Sequence, residues 1–157
     1  AQLLAGNGHQ VTLWMRDPAQ AAELTADRVN RRRLPGVRLD PRLEFSSDPA
    51  ASSRGVEAAF VAVPSRHVTE VLARFPQLPA LVSCTKGFAG DGLERITQVM
   101  QRGQPQAQVA ALSGPNLAGE IAAGKPAAAV AAMKEFARGR RRGDFDIRAA
   151  IEEGRRY

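Results

Sequence analysis

The feature that most constrains the fold of this chain is an alternation of short apolar runs with segments of helical character. Three runs have the length of a strand and show no alternation of polar and apolar residues: "EAAFVAVP" (57–64), "ALVSCT" (80–85) and "QVAALSG" (108–114). Such runs are typical of parallel strands that helices cover on both faces. The alternation therefore predicts an α/β fold with a doubly wound, mainly parallel sheet.

Weaker signals complete the predicted order of elements. The first residues indicate the last turns of a helix that ends at the glycines of "AGNG". Further strands are predicted at 10–14, 43–46 and 126–132. Further helices are predicted at 17–30, 65–75, 91–103 and 116–124, the first two with Asp17 and Ser65 as N-caps.

In a sheet of this kind, ligands bind outside the carboxyl ends of the strands. The residues at the carboxyl ends of the predicted strands are Arg16 and Asp17, Pro64 and Ser65, Thr85 to Gly87, and Ser113 to Asn116. Lys86 is therefore predicted to lie on the ligand side of the sheet.

Lys86 stands out because the chain has only three lysines among its 22 basic residues. A cation at a strand end, beside N–H groups freed by a glycine turn, suits a phosphate or a polarised carbonyl oxygen. The alternative is a solvated loop lysine. "SGPN" (113–116) leaves the same choice, between a tight turn whose Asn116 caps a helix and an anion site at that helix.

Arg16 and Asp17 end the strand that, in a dinucleotide-binding unit, selects the cofactor. An acidic residue there binds the ribose 2′-hydroxyl, and an arginine accommodates a 2′-phosphate. Because both types are present, the choice of cofactor stays open, and Asp17 has a second role as a helix cap. We predict no metal site, since His9 and His67 have no cysteine or carboxylate at ligand spacing. Cys84 is predicted to be an inert core residue.

The cysteine count and the distribution of charge indicate the cell compartment and the partners to expect. Cys84 is the single cysteine, and no apolar run approaches the length of a membrane span, so we expect a protein of the cytoplasm. The net charge is +6, and half of it falls in residues 133–157. This basic tail is predicted to be a solvated terminus, disordered or with a short helix. The alternative is contact with nucleic acid by "RGRRRG", which the absence of interleaved aromatic residues disfavours.

Five segments together resemble one known family: "NGHQVTLWMRDP", "NRRRLPGVRL", "VAVPS", "CTKG" and "LSGPNLAGEIAAGKPAAAV". In this order and at these distances they resemble the N-terminal domain of bacterial NAD(P)-dependent glycerol-3-phosphate dehydrogenase. The resemblance covers about residues 1 to 132. It implies a Rossmann-type sheet in a partial NAD(P)-binding domain, with residues 133–157 as a separate tail.

This resemblance implies an activity and a set of site residues. The activity is reduction of dihydroxyacetone phosphate by NAD(P)H to sn-glycerol 3-phosphate, a precursor of glycerophospholipids. Lys86, Gly114 and Asn116 are then expected at the phosphate-bearing substrate, and Arg16, Lys86 and Ala118 at the cofactor. The sequence carries no signal for an oligomeric state.

Two departures from the family limit what the resemblance implies for this chain. The glycine-rich turn of the family would stand before Ala1, so we expect a sheet truncated at its N-terminal strand. The family's proton-donating lysine lies in a helical domain that residues 133–157 do not resemble, so no catalytic acid is assigned and the chain alone is expected to be inactive. The alternatives are another two-domain NAD(P)-dependent dehydrogenase, or a non-catalytic module that binds nucleotide or nucleic acid.

Overall fold

The computed structural model describes residues 1–90, 93–114 and 122, and these residues contain two compact units. The first unit includes Ala1–Arg54 and the second includes Gly55–Gly114. The predicted helix 116–124, the predicted strand 126–132 and the basic tail lie outside the described residues, apart from Ala122.

The first unit is a two-stranded parallel sheet with three helices. In chain order its elements are α1 (Gln2–Gly6), β1 (Val11–Trp14), α2 (Pro18–Asp27), β2 (Leu43–Ser46) and α3 (Pro49–Ser53). β1 and β2 pair in parallel from Val11↔Leu43 to Trp14↔Ser46. The predicted strand at 43–46 is confirmed, as are the helix ending at the start of the chain and the strand at 10–14.

An Asp-Pro pair begins two of these helices. The Asp17 carboxylate accepts a hydrogen bond of 2.9 Å from the Ala19 N–H, and Pro18 occupies the first helical position. This is the predicted N-cap of α2. Asp48 caps α3 in the same way, through the Ala50 N–H at 2.9 Å. The Asp48–Pro49 pair is the signal by which α3, which was not predicted, could have been found.

Arg28 ends α2 and joins it to the second strand. The residue takes a left-handed conformation (φ 55°), so the helix ends earlier than the predicted residue 30. Its guanidinium donates a hydrogen bond to the Leu43 carbonyl and lies 5.4 Å from the centroid of the Phe45 ring. Arg28 therefore links the end of α2 to the amino-terminal end of β2.

The second unit is a three-stranded parallel sheet with a small hairpin. Its elements are β3 (Ala59–Val61), a 3-10 turn (Ser65–His67), α4 (Val68–Leu72), β4 (Ala80–Ser83), β5 (Phe88–Ala89), β6 (Glu94–Arg95), α5 (Ile96–Gly103) and β7 (Gln108–Ala111). The order of the parallel strands is β3-β4-β7, and β5 pairs antiparallel with β6. The predicted α/β class with parallel strands is confirmed.

Two predicted helix starts in this unit are wrong. Ser65 does not cap a helix. A 3-10 turn follows Pro64, and α4 begins only at Val68. Neither of these two elements has a side-chain cap. The helix predicted to begin at residue 91 begins at Ile96, because Glu94 and Arg95 are used by the hairpin.

The core of the second unit lies where α4 and α5 cover the sheet. Leu81 of β4, Val68 of α4 and Met100 of α5 are fully buried in one apolar cluster. This packing removes one face of β4 from water, and such burial is the main favourable contribution to the stability of a small domain.

Gln104 is a buried polar residue that fixes the connection between α4 and β4. Its side-chain oxygen accepts a hydrogen bond of 2.9 Å from the Leu78 N–H. Its amide nitrogen lies 3.2 Å from the Pro76 carbonyl, 3.4 Å from the Phe75 carbonyl and 3.5 Å from the Leu72 carbonyl. One side chain thus supplies an acceptor for the N–H of the buried residue Leu78 and a donor to the carbonyls of the turn before it.

We predict that Gln104→Leu destabilises the protein by about 2–3 kcal/mol, because it removes the acceptor of the buried Leu78 N–H and the amide that donates to the carbonyls of the turn. The measurement is urea unfolding of the variant and the unchanged protein. The matched control is Gln101→Leu on the same helix, whose amide also donates to two carbonyls but is exposed. It should lose under about 1 kcal/mol, and equal losses from the two variants would contradict the assigned role of Gln104.

Candidate functional site

The candidate site lies at the carboxyl ends of the three parallel strands of the second unit. Val61 pairs with Ser83 and Ser83 pairs with Ala111, so β3, β4 and β7 end on one row of the backbone ladder. The Cys84 N–H donates to the Val61 carbonyl and the Leu112 N–H to the Ser83 carbonyl, each at 2.8 Å. The ladder therefore extends one residue beyond the strands and brings their connecting loops to one edge.

Lys86 lies at this edge, as predicted from the sequence. The residue is exposed and forms no hydrogen bond or ion pair with any residue that the structure describes. Gly87 has φ 90°, a left-handed conformation that turns the chain away after the lysine. An ammonium group without a partner at a ligand edge is suited to an anionic ligand.

Thr85, directly before Lys86, is bonded to the neighbouring strand end. Its hydroxyl Oγ1 lies 2.9 Å from the Val63 carbonyl and 3.2 Å from the Val61 carbonyl. Thr85 was not among the predicted site residues. Its position between a strand and the lysine in "CTKG" is the signal that could have pointed to it.

The hairpin β5–β6, which follows Lys86 in the chain, is bonded to α5. Glu94 of β6 accepts two hydrogen bonds from the Arg102 guanidinium of α5, at 2.9 and 2.8 Å. This pairing lowers the pKa of the Glu94 carboxyl and raises the pKa of Arg102. Both side chains are exposed, so the pair contributes little to stability, but its bidentate geometry sets the position of the hairpin on the helix.

Gly114 is the last residue at this edge that the structure describes. It follows β7 by three residues, is half-buried and has a φ of 156°. The predicted site residues Asn116 and Ala118 lie outside the described residues. The second unit thus brings Lys86 and Gly114 to the carboxyl edge of one sheet.

Cys84 is half-buried and directly follows β4, rather than lying in the core as predicted. Burial raises the pKa of its thiol, so the group stays protonated at neutral pH and is a poor nucleophile. Among the residues that the structure describes, no three histidine, cysteine or acidic side chains converge as a metal site would require. Within the same residues, no helix has the length and apolar character of a membrane span.

Arg16 lies at the carboxyl end of β1 in the first unit. The Met15 N–H bonds the Ser46 carbonyl at 2.9 Å and extends the ladder, so Arg16 is the first residue beyond it. Arg16 is exposed and pairs with none of the described residues, whereas its neighbour Asp17 uses a carboxylate oxygen as the cap of α2. Of the two residues predicted to select a cofactor, the arginine is the one without a partner in the part of the chain that the structure describes.

Parallel strands joined through helices occur in both units, and beyond the carboxyl ends of these strands stand cations that pair with none of the described residues. These features fit an α/β fold of the Rossmann class. A solved structure supports this class: glycerol-3-phosphate dehydrogenase from Coxiella burnetii superposes with a TM-score of 0.71 at 32% identity, over 78% of this chain and 38% of that one. The chain belongs to the family described as NAD-dependent glycerol-3-phosphate dehydrogenase N-terminus, whose profile matches residues 1–138. The resemblance seen in the sequence is confirmed.

Curated relatives agree with this family. The chain is 42% identical over 140 residues to a glycerol-3-phosphate dehydrogenase (NAD(P)+) of Pseudomonas entomophila, covering 87% of this chain and 41% of the relative. It is 44% identical over 125 residues to the enzyme of the same name from Pseudomonas putida, covering 78% of this chain and 37% of the relative. The chain thus spans about two-fifths of the length of these relatives.

Proposed function

We propose that this chain forms the NAD(P)H-binding part of an enzyme that reduces dihydroxyacetone phosphate to sn-glycerol 3-phosphate. The observation that carries the proposal is the ammonium group of Lys86 at the carboxyl edge of β3-β4-β7, which pairs with no residue that the structure describes, in a chain of the glycerol-3-phosphate dehydrogenase family. Such an enzyme would work in the cytoplasm and supply the glycerol phosphate unit of phospholipids.

The donors at the strand ends fit a dinucleotide and a phosphate-bearing substrate. Lys86 and Arg16 are exposed cations without described partners, and each follows the end of a parallel strand of its own unit. Phosphates bind to groups of this kind. The cofactor supplies the hydride of the reduction when it is bound.

Lys86 is proposed to hold the substrate. An ammonium group can pair with the phosphate of dihydroxyacetone phosphate, or stabilise the negative charge that develops on its carbonyl oxygen. Gly114 and Asn116 are proposed beside the substrate, and Ala118 beside the cofactor.

Arg16 is proposed to bind the 2′-phosphate of NADPH. The guanidinium has no partner within residues 1–90, 93–114 and 122, while a carboxylate oxygen of Asp17, the residue that would select NADH, caps α2.

We also propose which parts of the chain bind the cofactor and which do not. Residues 1–132 are assigned to the NAD(P)-binding domain and residues 133–157 to a separate basic tail. The proton that the reduced oxygen needs is assigned to a lysine outside these 157 residues, so we propose that residues 1–157 alone do not turn over.

The test of the proposal is NADPH oxidation by a full-length enzyme carrying this domain, with dihydroxyacetone phosphate as substrate. The unchanged enzyme should oxidise NADPH only when the substrate is present. Lys86→Ala should lower kcat/KM about 100-fold, because it removes a charged contact with the substrate.

Arg33→Ala is the matched control for Lys86→Ala. It removes one exposed positive charge from the connection between α2 and β2. It should change kcat/KM less than about 2-fold. Normal kinetics for Lys86→Ala, or an equal loss from the control, would contradict a role in substrate binding and show that Lys86 is an ordinary solvated lysine.

A second prediction concerns the choice of cofactor. Arg16→Ala should raise the KM for NADPH about 10-fold and the KM for NADH less than 2-fold, because only NADPH carries the 2′-phosphate. Initial rates with each cofactor, at saturating dihydroxyacetone phosphate, measure the two constants. Equal changes in both would remove Arg16 from the recognition of the 2′-phosphate.

A further inference from the structure

The residue before Lys86 carries an inference beyond the proposed function and resting on it. Thr85 is half-buried, and its hydroxyl spans from the end of β4 to the end of β3. Its two acceptors, the carbonyls of Val61 and Val63, are 24 and 22 residues away in sequence. The contact is therefore tertiary and fixes two loops of the candidate site against each other.

The geometry determines which carbonyl the hydroxyl serves. A hydroxyl has one proton, and the Val63 carbonyl is the closer acceptor at 2.9 Å. The Val61 carbonyl, at 3.2 Å, already accepts the Cys84 N–H at 2.8 Å. The Thr85 hydroxyl thus supplies the donor for a carbonyl beyond the last residue of β3, where the regular strand pairing has ended.

This contact restrains the backbone from which Lys86 extends. Thr85 is β-branched, and its hydroxyl bond selects one side-chain rotamer. On the other side of Lys86, Gly87 turns the chain into the hairpin that Glu94 and Arg102 hold on α5. The half-buried Thr85 contact is therefore the main restraint on this backbone, since the Glu94–Arg102 pair is exposed, and the Lys86 side chain has no partner among the described residues.

We propose that Thr85 is a positioning residue: its hydroxyl, bonded to the Val63 carbonyl, fixes the backbone that aims the Lys86 ammonium at the phosphate-bearing substrate. A preorganised cation loses less conformational freedom on binding than a mobile one, and a small displacement of a binding group has a large effect on rate.

The test uses Thr85→Val in the full-length enzyme, since valine keeps the shape of threonine and lacks the donor. We expect kcat/KM for dihydroxyacetone phosphate to fall about 10-fold. Thr85→Ser, which keeps the hydroxyl, should have a kcat/KM within about 3-fold of that of the unchanged enzyme. The control is Thr25→Val, which removes a hydroxyl bonded at 2.8 Å to the Ala21 carbonyl within α2 and should leave kcat/KM unchanged.

A double-mutant cycle with Lys86→Ala separates positioning from a general structural role. If Thr85 acts through Lys86, adding Thr85→Val to Lys86→Ala should change kcat/KM less than about 2-fold. Equal losses with and without Lys86 would overturn the proposal, and so would normal kinetics of Thr85→Val. If Thr85→Val does not fold, as thermal melting would show, Thr85→Ala takes its place in the cycle with the same criteria.

The outcomes also separate this inference from the proposed function. An unchanged enzyme that does not reduce dihydroxyacetone phosphate would overturn both. An active enzyme that loses activity with Lys86→Ala but not with a Thr85 variant would overturn the role of Thr85 alone.

Discussion

Three parallel strands, β3, β4 and β7, end on the same row of a backbone ladder, because Val61 pairs with Ser83 and Ser83 with Ala111. The rest of the second unit depends on this register. A shift of one residue would turn the buried Leu81 toward the opposite face of the sheet and move Lys86 along the edge. The register thus links the packing of the core to the position of the candidate site.

Stability and function make different demands on this unit. The apolar cluster around Leu81 and Met100 and the buried amide of Gln104 hold the helices and their connections on the sheet. The Lys86 side chain contributes little to this packing, since it is exposed and without a described partner. A charge that has no partner among the described residues is available to a ligand. The apolar core supplies the favourable free energy of folding.

Much of this architecture could be predicted from the sequence because its signals are local. Apolar runs located β4 and β7, and the Asp17–Pro18 pair located the start of α2. Local signals failed where other parts of the chain decide the conformation. Ser65 looks like a cap, but the backbone of Pro64 begins a 3-10 turn instead, and the two-residue strands β5 and β6 are too short to show a period. The Thr85 contact joins residues more than 20 positions apart, so no pattern within one segment could reveal it.

The central claim is that the lysine at this edge binds a phosphate-bearing substrate. The most direct measurement is a crystal structure of a full-length enzyme carrying this domain, with dihydroxyacetone phosphate and the oxidised cofactor bound, a pair that cannot exchange a hydride. The account predicts the Lys86 Nζ within about 3 Å of a substrate oxygen, with the Thr85 hydroxyl still bonded to the end of β3. Substrate bound elsewhere, with the Lys86 ammonium in solvent, would contradict it.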